Sequence, residues 1–338
     1  MKNPEKNIKN HIDRRFCSAP LMDWSDRFCR KFWRTISPHT HLYTEMITTG
    51  AIIHGDRDRF LKFDPAEHTV ALQLGGSDAK ELAQCAKYGE QWGYDEINLN
   101  VGCPSDRVQN GMIGAILMRH PNIVSDAVKA MRDACSIDVT VKHRIGVDDM
   151  EDYTGLRDFV GQVSEAGAQT FIVHARKAWL SGLSPKQNRE VPPLNYELVY
   201  QLKKEFPNLE IVLNGGISSI EECHSHMQHV DGVMLGREIY HNPMILQQAE
   251  REFFGCDNNL SRREILEAYF PFIQEEIAQG TFLNHMTRHI LGLYFGVAGG
   301  KVFRRVLSEK AHRKDSSAEL LFEAIEAAEN AAQARRAQ

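Results

Sequence analysis

Short apolar runs of strand length recur along the chain at intervals of roughly 25 to 35 residues. They are FCSAPLM (16–22), LYTEM (42–46), TVALQL (69–74), EINLNV (96–101), VTVKHRI (139–145), TFIVHA (170–175), EIVLNG (210–215) and GVMLGR (232–237). Between them, DAKELAQCAKYGEQWG and NIVSDAVKAMRDAC place apolar residues at i, i+3 and i+4, which predicts amphipathic helices, with Asp78 and Asn122 at their starts. Strands alternating with helices imply parallel βαβ units. Eight strands in about 240 residues is the count of a (β/α)8 TIM barrel. A doubly wound sheet is the runner-up. It is disfavoured because GxGxxG is absent after the first strand, as is the phosphate-loop pattern.

The pattern changes after Asn242-Pro243. No further strand is predicted, and REILEAYFPFIQEEIAQG, HMTRHILGLYFGVA, KVFRRVLSEKAHR and SAELLFEAIEAAENAAQARR read as helices. The expected organisation is α/β: a polar N-terminal extension over 1–15, a barrel over 16–255 and an all-helical domain over 256–338. The Ala/Glu-rich stretch 318–338 favours helix and is expected to fray.

The composition, 42% hydrophobic and 25% charged over 338 residues, fits a globular protein with a sizeable core. No apolar run approaches the ~20 residues of a membrane span, and MKNPEKNIKNHIDRR lacks the apolar core of a signal peptide. Seven scattered cysteines with no CxxC pair argue against a disulfide scaffold and a zinc ribbon. A cytoplasmic protein with reduced thiols is expected.

In a barrel, reactive groups sit at the C-terminal ends of strands. That rule collects Met22-Asp23, Glu45, Gln73, Asn100 with Cys103, Lys142 with Arg144, His174 with Arg176, Asn214-Gly215-Gly216 and Gly236-Arg237. The turns NGGIS and GREIY follow strands seven and eight, where this fold often binds phosphate. Glycine lets backbone N–H groups approach phosphate oxygens, and Arg237 adds a charged fork. Lys142 within VTVKHRI would face the lumen or mouth, as a solvated strand end or as a cation set against a developing negative charge. His174 in FIVHAR is placed equivalently, as packing or as a ligand contact. Cys103, between Gly102 and Pro104, is open to three readings: packing residue, metal ligand or reactive thiol. Cys223, His224, His226 and His229 form a possible metal cluster, but a solvated helix face fits their spacing better.

The net charge of −5 gives no sign of nucleic-acid binding, yet its distribution does. From His285 to Lys314 there are seven Lys/Arg against Glu309 alone. Lys301, Arg304 and Arg305 share one helix face, and His285, Arg288 and His289 repeat that spacing. Such a face suggests a polyanionic partner. Lys186 and Arg189 add charge at the barrel mouth.

INLNVGCPSDRVQNGMIGA (97–115) resembles the signature of the tRNA-dihydrouridine synthases, flavin enzymes that reduce a uridine base in tRNA. Matches continue through APLMDW (19–24), LQLGG (72–76), VKHRIGVDD (141–149), HARKAWLSGLSPKQNRE (174–190), LNGGI (213–217) and LGREIYHNP (235–243). The SPKQNREVPPL loop is most similar to the bacterial A-type subfamily, which acts on uridines 20 and 20a of the D-loop. The resemblance implies a barrel that binds FMN, NADPH as reductant and a helical domain that helps hold tRNA at its elbow. It places Pro20, Leu21 and Met22 along the flavin, Gln73 on its ring, and Lys142 and His174 in contact with it. Asn214, Gly215, Gly216, Gly236 and Arg237 would hold its phosphate. Cys103 would be the proton donor and Asn100 would touch the substrate. Lys186, Arg189, Lys301, Arg304 and Arg305 would orient tRNA. One departure is visible: Met112-Ile113 stand where the family commonly carries Arg-Phe, so any contact made by those two side chains is in doubt.

The implied chemistry is hydride delivery to C6 of uracil and a proton from Cys103 to C5. A thiol suits that role, because its ordinary pKa of about 8.5 keeps it protonated at neutral pH yet able to give the proton up. The base must leave its stack to reach the mouth. A monomer with no metal and no membrane partner completes the expectation. A flavin barrel acting on a free pyrimidine, like dihydroorotate dehydrogenase, and a non-catalytic RNA-binding protein are the alternatives. The first has no need of the basic helices. The second has no use for Lys142, His174 and the glycine turns.

Overall fold

A computed structural model describes residues 12–105, 111–150 and 153–336. Residues 1–11 of the predicted extension, 106–110 of the signature stretch and the last two residues of the chain lie outside it.

The strands are β1 (Phe16–Ser18), β2 (Leu42–Tyr43), β3 (Ile47–Thr48), β4 (Val70–Gly75), β5 (Glu96–Val101), β6 (Asp138–Arg144), β7 (Thr170–His174), β8 (Glu210–Asn214) and β9 (Gly232–Leu235). All pairings between them are parallel, in the order β1-β9-β8-β7-β6-β5-β4-β2. The ring closes where Cys17 bridges His41: Ser18 N–H donates to the His41 carbonyl at 2.9 Å, and His41 N–H donates to Phe16 at 3.2 Å. The molecule is a (β/α)8 barrel followed by helices.

Two predicted strands are shorter than expected, for local reasons. Ala19 donates to Leu235, but Pro20 has no N–H, so the β1 ladder stops there. Of LYTEM only Leu42–Tyr43 is strand, and β3 starts just past it, because the Thr44 hydroxyl takes the N–H of Gln73 that a continuous strand would pair through its backbone.

Around the ring lie α1 (Arg27–Ile36), α2 (Thr49–His54), α3 (Arg57–Leu61), α4 (Ala79–Trp92), α5 (Pro121–Ala134), α6 (Tyr153–Glu165), α7 (Tyr196–Glu205), α8 (Ile220–Met227), α9 (Arg237–His241) and α10 (Met244–Phe254). Asp78 caps α4 as expected, accepting from Lys80 and Glu81 N–H. The start of α5 is Pro121 rather than Asn122, since proline suits the first helical position. α10 returns to the first strand, with Phe253 stacked on Phe16 at 5.7 Å.

Four helices follow: α11 (Arg262–Ala278), α12 (Leu283–Ile290), α13 (Gly300–Lys310) and α14 (Leu320–Arg336). The predicted helix through HMTRHILGLYFGVA breaks after Ile290. Gly292 lies against the carbonyls of Tyr240 and His241, 2.6 Å from where a Cβ would stand, so the chain is pinned there. α14 is packed rather than loose: Leu320, Leu321, Ala324, Ile325 and Ala328 are buried. The helical region docks on α1. Phe32 packs on Tyr269, Phe28 on Phe272, and Arg27 pairs with Glu276.

No described helix is long and apolar enough to cross a membrane.

Candidate active site

Side chains alternate across a strand, so every second residue of each barrel strand enters the lumen. On β7, β8, β9 and β1 the middle layer is apolar, with Ile172, Val212, Met234 and Cys17, and Ala19 just past β1, while Glu210 at the floor and His174 and Asn214 at the mouth are polar. On β5 they are Glu96, Asn98 and Asn100; Thr140 and Lys142 follow on β6, and Gln73 on β4. The middle of the lumen is therefore apolar on one side and polar on the other, with polar groups at both ends. At its N-terminal end Arg14 is buried between Glu96 at 2.8 Å, Asp138 at 2.9 Å and Glu210 at 2.9 Å. Burial would raise the Glu96 carboxyl, but Arg14 and His41 outweigh it and lower it to about 2. This floor is structural.

At the other end, Cys103 follows β5 and is half-buried at the mouth. Its backbone is held on both sides. Its N–H, with that of Gly102, donates to Asn100 Oδ1 at 3.0 and 3.1 Å. Its carbonyl accepts from Ala115 N–H at 2.8 Å. Gly114 makes that second bond possible: it has φ +81°, and a Cβ there would stand 2.3 Å from the Cys103 carbonyl. The glycine of GMIGA thus serves the cysteine directly. Ile113 packs near Gly75, and Met112 takes a left-handed φ of 51°.

Lys142 is half-buried and donates to Asn214 Oδ1 at 2.9 Å. Burial, and then Arg144 nearby, lower its pKa from the ordinary 10.5 to about 7, against an opposing pull from Cys103. The Asn214 amide donates to the Met234 carbonyl at 2.7 Å. Its side chain therefore serves Lys142 first, rather than standing free for a phosphate. His174 has a pKa well below the ordinary value, through burial and then Arg144, so its imidazole is neutral. Gly215, at φ +116°, lies against it: a Cβ there would meet the His174 ring at 2.5 Å. Gly216 has φ +78° and is exposed. Gly236 stands over Ala19 and Leu21, and Arg237 pairs with Glu190 at 2.9 Å. Pro20 and Leu21 are half-buried beside it, and Met22 is 57% exposed.

Arg144, collected with Lys142 at its strand exit, and Asn188, outside the predicted set, organise this mouth. Arg144 is buried and donates to the carbonyls of Gly102, Lys177 and Asn188, each at 2.9 Å. It clamps the cysteine loop to the long loop after β7. Buried Asn188 holds that loop from within, bonding both the N–H and the carbonyl of Trp179. Lys186, Arg189 and Trp179 stand exposed on the loop, with Lys177 over the indole at 5.4 Å. In the sequence Arg144 stood next to Lys142 at a strand exit. Asn188 gave no signal beyond sitting in a polar loop.

The sequence profile of the family described as Dihydrouridine synthase (Dus) matches residues 17–332. The chain belongs to the dihydrouridine synthase family. Curated relatives named tRNA-dihydrouridine(20/20a) synthase include one from Pseudomonas aeruginosa, 57% identical over 321 residues that cover 95% of this chain and 97% of the relative. One from Escherichia coli is 57% identical over 324 residues, covering 95% and 93%. One from Pseudomonas syringae pv. tomato is 57% identical over 314 residues, covering 93% and 94%.

In this dihydrouridine synthase fold the predicted residues of the barrel gather at one mouth, whereas Lys301, Arg304 and Arg305 lie on α13. Lys301 and Arg305 are exposed and Arg304 is half-buried; none pairs with a carboxylate among the described residues. The predicted extension of this basic face to His285, Arg288 and His289 needs correction. Arg288 pairs with Asp26 at 2.6 Å, and His289 is buried with Nε2 3.0 Å from the same carboxylate. Both side chains join α12 to the start of α1, since both reach the Asp26 carboxylate. The histidines of α8 and the turn after it serve packing: His226 meets the Tyr200 hydroxyl at 2.6 Å, His229 stacks on Tyr200 and His224 packs on Phe253.

Proposed function

We propose that this chain is a tRNA-dihydrouridine synthase that reduces the C5–C6 bond of uridines 20 and 20a in the D-loop, with FMN as cofactor and NADPH as reductant. The observation that carries the reading is the doubly held Cys103 at the mouth of a family barrel, beside a lysine and a neutral histidine. The names of the relatives supply the target positions.

The mouth suits a flavin mononucleotide. Gly215 and Gly216 adopt left-handed backbone where side chains would clash, leaving room for close approach of a ligand. Lys142, His174 and Gln73 provide one cation and two hydrogen-bonding groups for a ring. Gly236 and Arg237 follow β9, where this fold often binds phosphate. When bound, FMN supplies the hydride that reaches C6 of uracil.

Cys103 then protonates C5 as a general acid. The two hydrogen bonds to its backbone fix where the Cys103 Cα stands, which leaves only the χ1 rotation to place the thiol. Lys142 would hold the flavin ring and, as a cation there, would offset negative charge on it. Neutral His174 offers a hydrogen bond without adding a further cation to a site that already holds Lys142 and Arg144. Asn100 meets the substrate base. Lys186 and Arg189 on the mouth loop, and Lys301, Arg304 and Arg305 on α13, bind the tRNA backbone near its elbow. The enzyme works as a cytoplasmic monomer in this reading.

Dihydrouridine mapping of tRNA from a strain lacking this protein tests the assignment. Loss at positions 20 and 20a, restored by the wild-type chain and not by Cys103→Ala, is expected. Purified Cys103→Ala retains flavin and tRNA binding. Dihydrouridine at wild-type levels with that variant would remove Cys103 from the mechanism.

A further inference from the structure

Five polar side chains inside the barrel form one continuous path from floor to mouth. Asn100 Oδ1 accepts the N–H groups of Gly102 and Cys103. Asn100 Nδ2 donates to Gln73 Oε1 at 2.8 Å, and Gln73 Nε2 donates to Asn98 Oδ1 at 2.8 Å. Asn98 Nδ2 donates to Thr140 Oγ1 at 2.8 Å, and the Thr140 hydroxyl donates to Glu96. Glu96 also receives Arg14 at 2.8 Å, the Tyr43 hydroxyl at 2.9 Å and His41 Nε2 at 2.9 Å. Asn98, Thr140, Gln73 and Glu96 are all buried.

The direction of this path is not free. A backbone N–H can only donate, so Asn100 must turn its oxygen to the cysteine loop. An ionised carboxylate can only accept, so Thr140 must give its one hydrogen to Glu96 and receive from Asn98. The amides of Gln73 and Asn98 between them have one orientation that satisfies both ends, and it is the orientation observed. Hydrogen bonds aligned in this way polarise one another.

We infer that this one-way chain is a positioning device that sets Asn100 as a donor-only contact for the target base and holds the backbone of Cys103. The Asn100 oxygen already accepts twice. Only an amide N–H remains for a ligand, so Asn100 reads a carbonyl oxygen of the pyrimidine and not its N3–H. Thr140 is then a positioning residue, linked to Asn100 through Asn98 and Gln73. The inference rests on the reading of the mouth as a dihydrouridine synthase site.

Thr140→Val keeps the side-chain shape and deletes both links; Thr140→Ser keeps the hydroxyl. With full-length flavin-loaded protein and an unmodified tRNA transcript, the valine variant is expected to lose roughly ten-fold in kcat, with a smaller change in KM, and the serine variant to recover most of it. A second readout needs no turnover. The rate of iodoacetamide alkylation at Cys103, followed by peptide mass spectrometry without tRNA, should change in the valine variant and not in the serine variant. A valine variant with wild-type kcat and wild-type alkylation overturns the inference, as does a serine variant impaired as much as the valine. Wild-type protein that makes no dihydrouridine overturns the functional reading instead, and the alkylation comparison still decides the chain.

Discussion

Lys142 shows how a single residue can tie ligand binding to pH. Its ammonium is disfavoured first by burial and then by Arg144, so in the ligand-free protein it titrates near 7. The unfolded chain holds that proton up to about pH 10.4. Between these values the unfolded state binds more protons, so this group makes the ligand-free protein more stable as pH rises from 7 towards 10. An anionic ligand reverses the balance by drawing the proton back. FMN affinity is therefore expected to be flat below pH 7 and to fall above it, by up to about ten-fold per unit. Titration of flavin-free protein at pH 6.5 and 8.5 measures this, and Lys142→Met should abolish the slope. At this scale much of the site was legible in the sequence: Cys103, Lys142 and His174 are chemically conspicuous residues at strand exits. Arg144 was collected by the same rule but without its role, and Asn188 and Asn98 were not found, because the work of all three lies in partners that only the fold brings within 3 Å.

The elements were legible where a periodic pattern carried them and illegible where one contact overrode it. EINLNV alternates strictly, and its polar positions, Glu96, Asn98 and Asn100, became the polar wall of the lumen. The breaks at Pro20 and Thr44 came from a missing N–H and from a hydroxyl standing in for backbone, and only the proline could be read locally. The break after Ile290 came from Gly292 meeting another segment. The turn carrying Gly114 yields a prediction of its own. Gly114→Ala forces a Cβ into left-handed backbone, at about 1–2 kcal/mol, and against the Cys103 carbonyl. A lowered melting temperature is expected, together with a loss of turnover larger than that stability change alone explains. A wild-type rate in the folded variant would mean that the cysteine loop tolerates the shift.

Over the whole molecule, net charge misleads and placement informs. A chain of −5 carries exposed cations on the mouth loop and on α13. Arg304→Ala and Arg305→Ala are each expected to weaken tRNA binding and to make the salt dependence of log Kd shallower by about one contact. Filter binding across a salt series measures the slope, and an unchanged slope would return α13 to an ordinary solvated face. The fold class could be read from strand count, while the internal pairing of Arg288 and His289 could not, since helical spacing alone does not tell which face a neighbour covers.

The double duty of α1 has a practical consequence. The same short helix follows the first barrel strand and receives Tyr269, Phe272 and Glu276 from α11 and Arg288 and His289 from α12, at its own cap. Cutting the chain near residue 255 would not release an independent catalytic half. It would expose Phe28 and Phe32 and leave Asp26 without Arg288 and His289. The helical region is thus a part of the barrel's casing as well as the proposed arm for RNA, and exchanging it between relatives would require exchanging the outer face of α1 with it.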